Sequence, residues 1–208
     1  MHPYTPKRQC HCLWCLVPLD KQDFSFLIRH DYLCCEHEQF LTSKVKQVSI
    51  KDRDINYFFE YEHTMASLFF RYKEHKDIPL CGCIFYPHRK DLKTIIQDRS
   101  VVIVPSSVTK TQLRGFHPLQ LSLEICGIKS LDILEKIDNS DQKKKGKAQR
   151  NLTYFRMKSS YPTLTHEVVL IDDVLTTGNS LMRCWDLLES QGHHVIGCVL
   201  AINSSWLM

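Results

Sequence analysis

Residues 167–181 read EVVLIDDVLTTGNSL, an apolar run that ends in two adjacent aspartates. Val168–Ile171 are uninterrupted apolar residues, as is typical of a strand covered on both faces in a parallel sheet. A helical pattern follows at 179–192, and a second apolar run follows at 195–202. These three pieces predict a βαβ unit, whose crossover is right-handed and whose strands are parallel. The chain is therefore expected to form an α/β fold with an open, mainly parallel sheet.

Other stretches fit the same fold class. Apolar residues on one face predict a helix from 64 to 72, and Val101–Val104 predict another buried strand. Residues 117–126 are also expected to be helical. We interpret 41–62, which mix charges and aromatic rings, as a connector. Residues 138–151 have almost no apolar side chains, so they predict an exposed, mobile loop.

Cysteines are concentrated at the N-terminus, where five of the ten lie within the first 35 residues. Cys12 and Cys15 form a C-x₂-C pair, and Cys34 and His37 form a C-x₂-H pair. Two such pairs supply the four sulfur or nitrogen ligands of tetrahedral zinc. A site with four protein ligands leaves no place for a reacting water, so we expect the zinc to be structural.

The ligand set is open at this stage, because Cys10, His11 and Cys35 are competing donors. The alternative without metal is a group of adjacent reduced thiols. The five later cysteines are scattered and are expected to be small buried apolar residues.

The cysteine-rich segment and the α/β segment suggest two domains. We place a zinc-binding knuckle domain at residues 1–42 and the main domain at 43–208. No continuous apolar stretch follows Lys7 and Arg8, and no apolar run is long enough to span a membrane. We therefore expect a cytoplasmic protein. The net charge of +4 permits binding to polyanions without demanding it.

The two aspartates come where ligands bind in open parallel sheets, beyond the carboxyl ends of the strands. Carboxylates accept hydrogen bonds from sugar hydroxyls or belong to a magnesium shell. The next turn, Thr176–Ser180, leads into a helix whose N-terminus can receive a phosphate. This order of groups predicts a site for a phosphorylated ribose.

Two other interpretations fit less well. An apolar strand ending in aspartate also occurs in nucleoside triphosphatases. Those proteins also need an upstream G-x₄-G-K-[ST] motif, which is missing from the chain. Aspartates that merely precede a helix explain one of the two carboxylates, and they leave the Thr-Thr-Gly turn unexplained.

The segment VVLIDDVLTTGNSL resembles the signature by which type I phosphoribosyltransferases bind 5-phosphoribosyl 1-diphosphate (PRPP). Joined to a zinc-knuckle N-terminus, it resembles the ComF family of competence proteins. Supporting matches are VVIVPSS at 101–107, Arg114-Gly115-Phe116, and Gln142 followed by Arg150. Tyr61-Glu62 and Tyr72-Lys73 resemble another family stretch. His63 replaces its usual glycine, and His117 stands where asparagine is usual.

The resemblance implies a type I phosphoribosyltransferase fold that binds PRPP with Mg²⁺. The PRPP-binding residues it implies are Asp172, Asp173, Val174, Leu175, Thr176, Thr177, Gly178, Asn179 and Ser180. The residues it implies for the pyrophosphate group are Ser106, Ser107, Lys110 and Arg114. No residue is identified as a general base, so transferase activity and the phosphoribosyl acceptor are left open.

The family further implies a role in DNA uptake during natural transformation. The alternative function is a non-catalytic module that binds single-stranded DNA or couples a DNA-translocating helicase, with a vestigial or regulatory PRPP site. The lysines of 143–147 and the aromatic residues Trp14, Tyr57, Phe58 and Phe59 are its candidate DNA contacts.

Overall fold

The computed structural model describes residues 11–19, 33–41, 44–137 and 154–207. Several residues singled out in the sequence lie outside these ranges: Cys10, Gln142, the lysines of 143–147, and Arg150. The strands are β1 (Lys46–Ile50), β2 (Arg53–Glu60), β3 (Ser100–Ile103), β4 (Leu134–Ile137), β5 (Tyr154–Met157), β6 (Glu167–Leu175) and β7 (His194–Ile202). The α-helices are α1 (Cys35–Leu41), α2 (His63–Lys73), α3 (Arg89–Ile96), α4 (Val108–Arg114), α5 (Pro118–Ile125) and α6 (Asn179–Ser190).

The main sheet has five strands in the order β1-β2-β7-β6-β3. Strands β2, β7, β6 and β3 are mutually parallel, and β1 is antiparallel to β2 at one edge. The predicted βαβ unit is confirmed, because β6, α6 and β7 follow one another and the two strands pair in parallel. The carboxyl ends of β2, β7, β6 and β3 therefore meet along a single edge of the sheet.

Residues 41–62 are not a connector, and that prediction was wrong. They contain β1 and β2, which form a hairpin, and β2 continues the sheet by pairing with β7. The turn between the strands is Lys51-Asp52, with φ of 53° and 61°. Both central residues of this tight hairpin turn lie in the left-handed region, which glycine and asparagine usually occupy. The usual residue signal for a hairpin is therefore missing from the sequence.

Two apolar cores cover the faces of the sheet. One core contains α2 and α5 residues such as Leu68 and Leu123, packed on the face of β6 that presents Val169 and Ile171. The other contains α6 residues such as Trp185, packed on the opposite face. Both cores are sealed by helices, which explains why the strands of the sheet interior are apolar on both sides. Among the described residues, no helix is both long and apolar enough to cross a membrane.

Strand β6 extends further than the sequence suggested. The apolar run predicts a strand over 168–171, whereas the structure continues it through both aspartates to Leu175. Pairing with β7 supports the added residues, as far as Leu175 opposite Ile202. Strand β3, in contrast, pairs with β6 only as far as Ile103 opposite Ile171. Residues 172–175 are thus paired with β7 on one side and leave open space on the other.

The described N-terminal residues pack against helix α2. The Arg71 guanidinium donates hydrogen bonds to the backbone oxygen of Trp14 and, at 2.6 Å, to the carboxylate of Asp77. The Trp14 ring stacks on His37 with a centroid separation of 4.6 Å. The described N-terminal residues therefore lie next to α2, where Arg71 holds the backbone of Trp14 and the Trp14 ring stacks on α1.

The four aromatic residues considered for DNA stacking are buried. Trp14 is 8% exposed, and Tyr57, Phe58 and Phe59 are 6%, 1% and 6% exposed. Base stacking requires an accessible ring face. The hypothesis that these rings form a DNA-binding surface was therefore wrong. The scattered cysteines Cys81, Cys83, Cys126, Cys184 and Cys198 are buried, as predicted.

Gly197 on β7 occupies a position with no room for a side chain. A Cβ atom there would lie 2.9 Å from Ile55 Cγ1 and 2.9 Å from Trp185 Cζ3. We expect Gly197→Ala to lower the free energy of unfolding by about 1–3 kcal/mol, because both neighbours belong to a packed core. Chemical denaturation measures this. Gly82→Ala is the matched control, since a Cβ at that buried glycine meets nothing within 4 Å. Equal stability of the two variants would contradict the expectation.

Candidate functional site

A polar cavity of about 190 Å³ lies at the carboxyl ends of β6 and β3; we call it the strand-end cavity. It exists because β3 stops at Ile103 while β6 continues, so the chain after β3 turns away and leaves the side of β6 uncovered. Twelve residues line it: Lys73, Val104, Pro105, Ser106, Ser107, Lys110, Arg114, Leu119, Lys136, Asp172, Asp173 and Ser180. Two carboxylates thus face four cationic side chains in a small space.

The two aspartates point to opposite faces of the sheet, since successive strand residues alternate. Asp173 lies on the α2 face, where its Oδ2 atom is 2.5 Å from the Nζ atom of Lys73. Asp172 lies on the α6 face, and its Oδ1 atom accepts a hydrogen bond of 2.8 Å from the backbone N–H of Asp173. Both still line the strand-end cavity, because the cavity wraps around the uncovered side of β6.

Asp172 is in an environment that disfavours its charge. Burial raises the pKa of its carboxyl well above the ordinary value, and the adjacent charge of Asp173 raises it further. The backbone hydrogen bond from Asp173 and the positive charges of Lys73 and Lys136 act in the opposite direction without cancelling these effects. A ligand that brings hydrogen-bond donors or a cation would relieve this cost.

Trp206, the third residue from the end of the sequence, holds the loop after β6. The indole of Trp206 donates a hydrogen bond of 2.7 Å to the backbone oxygen of Thr176. Gly178 has φ of 73° and precedes the first residue of α6. A Cβ atom on it would lie 3.1 Å from the Trp206 ring, so both backbone angle and space require glycine here. Ser180, in the first turn of α6, faces the strand-end cavity, whereas Thr176 and Thr177 are exposed.

The residues predicted to bind pyrophosphate all line the strand-end cavity. They differ in how strongly hydrogen bonds within the protein hold their side chains. Ser106 and Ser107 follow β3, and the Ser107 hydroxyl accepts a hydrogen bond of 3.3 Å from the backbone N–H of Lys110. Arg114 is more constrained, with a side chain only 10% exposed. It donates to Glu74 at 2.5 Å and to the backbone oxygen of Lys73 at 3.1 Å. Arg114 therefore holds the backbone of Lys73, and its side chain also lines the strand-end cavity.

His117, which replaces the usual asparagine, caps helix α5. Its Nδ1 atom accepts a hydrogen bond of 3.3 Å from the backbone N–H of Gln120. Asparagine caps helices in the same way, with a side-chain acceptor for an early backbone N–H. Histidine at this position therefore supplies a side-chain acceptor of the kind that an asparagine could also supply.

Three contributors to the site received no role from the sequence. Lys136 reaches the cavity from β4, Lys73 from the end of α2, and Trp206 supports the loop from the C-terminus. Lys73 belongs to a stretch that resembles the family, but nothing local indicated its contact with Asp173. Lys136 and Trp206 carry no recognisable motif.

The N-terminal cysteine pairs do come together. The ligand atoms of Cys12, Cys15, Cys34 and His37 all lie within 4.8 Å of one another, so the group can bind a metal ion. Cys34 Sγ is 3.0 Å from His37 Nδ1 and 3.8 Å from Cys15 Sγ. Cys35, considered as an alternative ligand, is exposed and is not part of this group.

Comparison with known proteins agrees with these features. Residues 120–205 match the phosphoribosyl transferase domain family. Competence protein ComFC of Streptococcus pneumoniae (strain ATCC BAA-255 / R6) is 31% identical over 137 residues, covering 64% of this chain. The match spans 61% of that relative, less than two thirds of its length.

Among solved structures, an adenine phosphoribosyltransferase has a TM-score of 0.44 at 13% identity, covering 82% of this chain and 92% of that one. The Saccharomyces cerevisiae adenine phosphoribosyltransferase also has a TM-score of 0.44 at 13% identity, covering 84% and 92%. The two sequence matches support a ComF-type protein. The phosphoribosyl transferase domain match and the open, mostly parallel sheet support the predicted fold class.

The raised pKa of Asp172 has a consequence for stability. A carboxyl whose pKa is higher in the folded than in the unfolded protein stabilises the fold at low pH, and this contribution is lost as pH rises through the folded pKa. We expect Asp172→Asn to be more stable than wild type at about pH 8 by roughly 1 kcal/mol, and to gain nothing at about pH 4.

Thermal unfolding across this pH range measures the effect, without added ligand. The asparagine oxygen still accepts the hydrogen bond from Asp173, so the comparison isolates the charge. Asp98→Asn, which changes an exposed carboxylate away from the cavity, is the control. A pH-independent difference between wild type and Asp172→Asn would rule out the explanation.

Proposed function

We propose that this chain binds PRPP together with Mg²⁺ and that it is a phosphoribosyltransferase-like protein of the competence type. The observation that carries the proposal is the strand-end cavity. It joins the two aspartates of β6 and the first turn of α6 to the serines after β3 and to several cations. PRPP presents the complementary groups, two ribose hydroxyls between a phosphate and a pyrophosphate.

Each part of PRPP has a candidate partner in this arrangement. Asp172 and Asp173 accept hydrogen bonds from the ribose hydroxyls. The backbone N–H groups of 176–180, at the N-terminus of the twelve-residue helix α6, receive the 5-phosphate. The pyrophosphate lies against Ser106, Ser107 and Lys110, with Lys136 as an additional cation.

Lys73 is neutralised by Asp173 in the protein without ligand. An entering polyanion competes for Lys73, while ribose hydroxyls compete for Asp173. Binding would therefore replace the Lys73–Asp173 ion pair with contacts from Lys73 to the polyanion and from Asp173 to the ribose hydroxyls. Arg114 assists by holding the backbone of Lys73 and by pairing with Glu74.

The residues present fit a magnesium ion bound with the substrate. Mg²⁺ is usually held by one or two carboxylates, several waters and substrate phosphates, and Asp172 and Asp173 supply such carboxylates. When bound, the ion would neutralise part of the pyrophosphate charge. The protein's own contribution is to orient the ribose from β6 and to stabilise the pyrophosphate with Lys110, Lys136 and backbone groups.

We assign the N-terminal group to structural zinc and residues 1–42 to a zinc-binding knuckle domain, with 43–208 as the main domain. Two thiolates bound to tetrahedral zinc, each about 2.3 Å from it, lie about 3.8 Å apart. Cys15 and Cys34 show this separation, 3.8 Å. Three sulfur donors and one imidazole favour zinc over magnesium or calcium.

The proposed biological role is DNA uptake in natural transformation, and its support is the likeness to a competence protein. Contact with single-stranded DNA or with a DNA-translocating helicase stays a prediction from the family resemblance. The lysines of 143–147 that motivated it lie outside the described residues, and the aromatic residues first considered for stacking are buried.

The PRPP proposal predicts stabilisation by ligand. PRPP with Mg²⁺ at about one hundred times its dissociation constant should raise the free energy of unfolding by about 2.7 kcal/mol. Ribose 5-phosphate and pyrophosphate should each act more weakly, because each fills part of the site. Thermal-shift titration and calorimetry measure these effects. Unchanged melting of the wild type with millimolar PRPP and Mg²⁺ would refute the proposal.

Lys136 gives a sharper version of this test. We expect Lys136→Ala to weaken PRPP binding about tenfold or more, since it removes a charged contact from the strand-end cavity. Lys129→Ala is the matched control, because Lys129 is exposed and does not line that cavity. An equal loss in both variants would indicate general charge attraction instead of a defined site.

The zinc assignment predicts metal content from individual ligands. Purified wild type should contain about one zinc ion per chain, and Cys34→Ser should lose it, because a serine hydroxyl is a poor zinc ligand. The neighbouring Cys35→Ser should retain the metal. Elemental analysis measures zinc, and thermal unfolding should show a lower melting temperature only for Cys34→Ser. Zinc loss in Cys35→Ser would show that the ligand set is wrong.

A further inference from the structure

A short turn after β7 lies against the loop that follows β6. Ser204–Trp206 form one 3₁₀ turn. The side chain of Asn203 caps this turn by accepting a hydrogen bond of 3.0 Å from the backbone N–H of Ser205. The backbone N–H of Trp206 donates to the backbone oxygen of Asn203, also at 3.0 Å. We call residues 203–206 the C-terminal turn. The Trp206 ring packs against the core on the α6 side of the sheet, so apolar contact anchors the turn as well.

The C-terminal turn holds two consecutive carbonyl oxygens of the neighbouring loop. The backbone N–H of Asn203 donates a hydrogen bond of 2.9 Å to the oxygen of Leu175. The indole N–H of Trp206 donates a hydrogen bond of 2.7 Å to the oxygen of Thr176. The indole nitrogen is a donor only. Trp206 can therefore hold a carbonyl oxygen, and it does not compete as an acceptor for the N–H groups of the loop.

Holding these two oxygens sets the direction of the next two N–H groups. None of the described peptide bonds is cis. In a planar trans peptide, the C=O bond and the N–H bond that follows it point to opposite sides. The N–H groups of Thr176 and Thr177 therefore point away from the C-terminal turn. Neither of them donates a hydrogen bond to another described residue, so both are available to a ligand.

The Trp206 ring also restricts the end of the loop. A Cβ atom on Gly178 would lie 3.1 Å from the Cζ2 atom of Trp206, so the ring is in close contact with the glycine backbone. Gly178 precedes α6, whose first N–H groups the proposed function assigns to the 5-phosphate. One side chain thus contacts both ends of the loop at 176–178, Thr176 through its N–H and Gly178 through its ring.

We propose that Trp206 is a positioning residue for the 5-phosphate, because it fixes the peptide between Thr176 and Thr177 with the Thr177 N–H group directed to the ligand side of the loop. The inference rests on the proposed function, since it needs a phosphorylated ribose at this loop. Without the indole N–H, the Thr176 oxygen loses its partner and the peptide is free to turn, which takes the Thr177 N–H away from the phosphate. Trp206 acts through the loop and does not touch the ligand itself.

The test uses Trp206→Phe, which removes the N–H donor and keeps a ring beside Gly178. Ribose 5-phosphate, and PRPP with Mg²⁺, should each bind to this variant about threefold to tenfold more weakly than to wild type, the effect of losing one directed hydrogen bond. Pyrophosphate with Mg²⁺ should bind equally well to both proteins, because its proposed partners at 106–110 belong to a different loop. Calorimetric titration of the full-length proteins measures all three affinities.

Ser205→Ala is the matched control. Ser205 is an exposed residue of the same turn, and the substitution keeps its backbone hydrogen bond to Asn203, so all three affinities should stay unchanged. Chemical denaturation verifies that both variants are folded under the titration conditions. An equal loss of ribose 5-phosphate and pyrophosphate binding in Trp206→Phe would show a general disturbance of the site and overturn the positioning role.

Amide NMR gives a second measurement that does not depend on affinity. Saturating ribose 5-phosphate should shift the Thr177 N–H signal of wild type, and the shift should be smaller in saturated Trp206→Phe. Equal shifts in the two proteins would contradict the proposed orientation of this peptide.

The same titrations separate this inference from the function on which it rests. If wild type binds PRPP and ribose 5-phosphate, and Trp206→Phe binds them equally well, only the positioning role fails. If wild type binds neither ligand, the proposed function fails, and the role of Trp206 fails with it.

Discussion

The unequal length of two neighbouring strands is the constraint on which the site depends. β6 continues to Leu175 because β7 pairs with it, while β3 ends at Ile103. In a sheet of equal strands, Asp172 would be covered by a neighbour and its carboxylate would be costly to bury. Here the uncovered side of β6 lets polar side chains reach a common cavity from both faces of the sheet. The acidic pair is thus tolerated by topology, and the remaining cost is visible in the raised pKa of Asp172.

Much of the fold could be predicted because the signals were local. Val168–Ile171 form an uninterrupted apolar run and the helix after them has a periodic apolar pattern, and the structure confirms both elements. Residues 41–62 were missed because β1 and β2 mix charges with rings, and because their turn uses Lys51-Asp52. The strain of two left-handed residues there is offset by the hairpin and by the pairing of β2 with β7. Only the complete sheet reveals that compensation.

The site residues also separate into those that a local sequence signal predicted and those that it did not. Asp172 to Ser180 are contiguous, so one motif predicted their positions together. Lys73, Lys136 and Trp206 come from three distant parts of the chain, and only folding brings them to β6. A lysine on a surface helix has no local property that distinguishes a partner of Asp173 from a solvated charge.

Helix α2 contacts both the N-terminal cysteine-rich residues and the strand-end cavity. Arg71 holds the backbone of Trp14, which stacks on the metal-site residue His37. Lys73, two residues later, projects in a different direction and pairs with Asp173. Helix α2 is therefore in contact with the N-terminal residues through Arg71 and with the strand-end cavity through Lys73. Arg71 and Lys73 are two residues apart, so one helical turn of α2 carries both contacts. The buried residues of the same helix, such as Leu68 and Tyr72, fix it against the sheet between these two contacts.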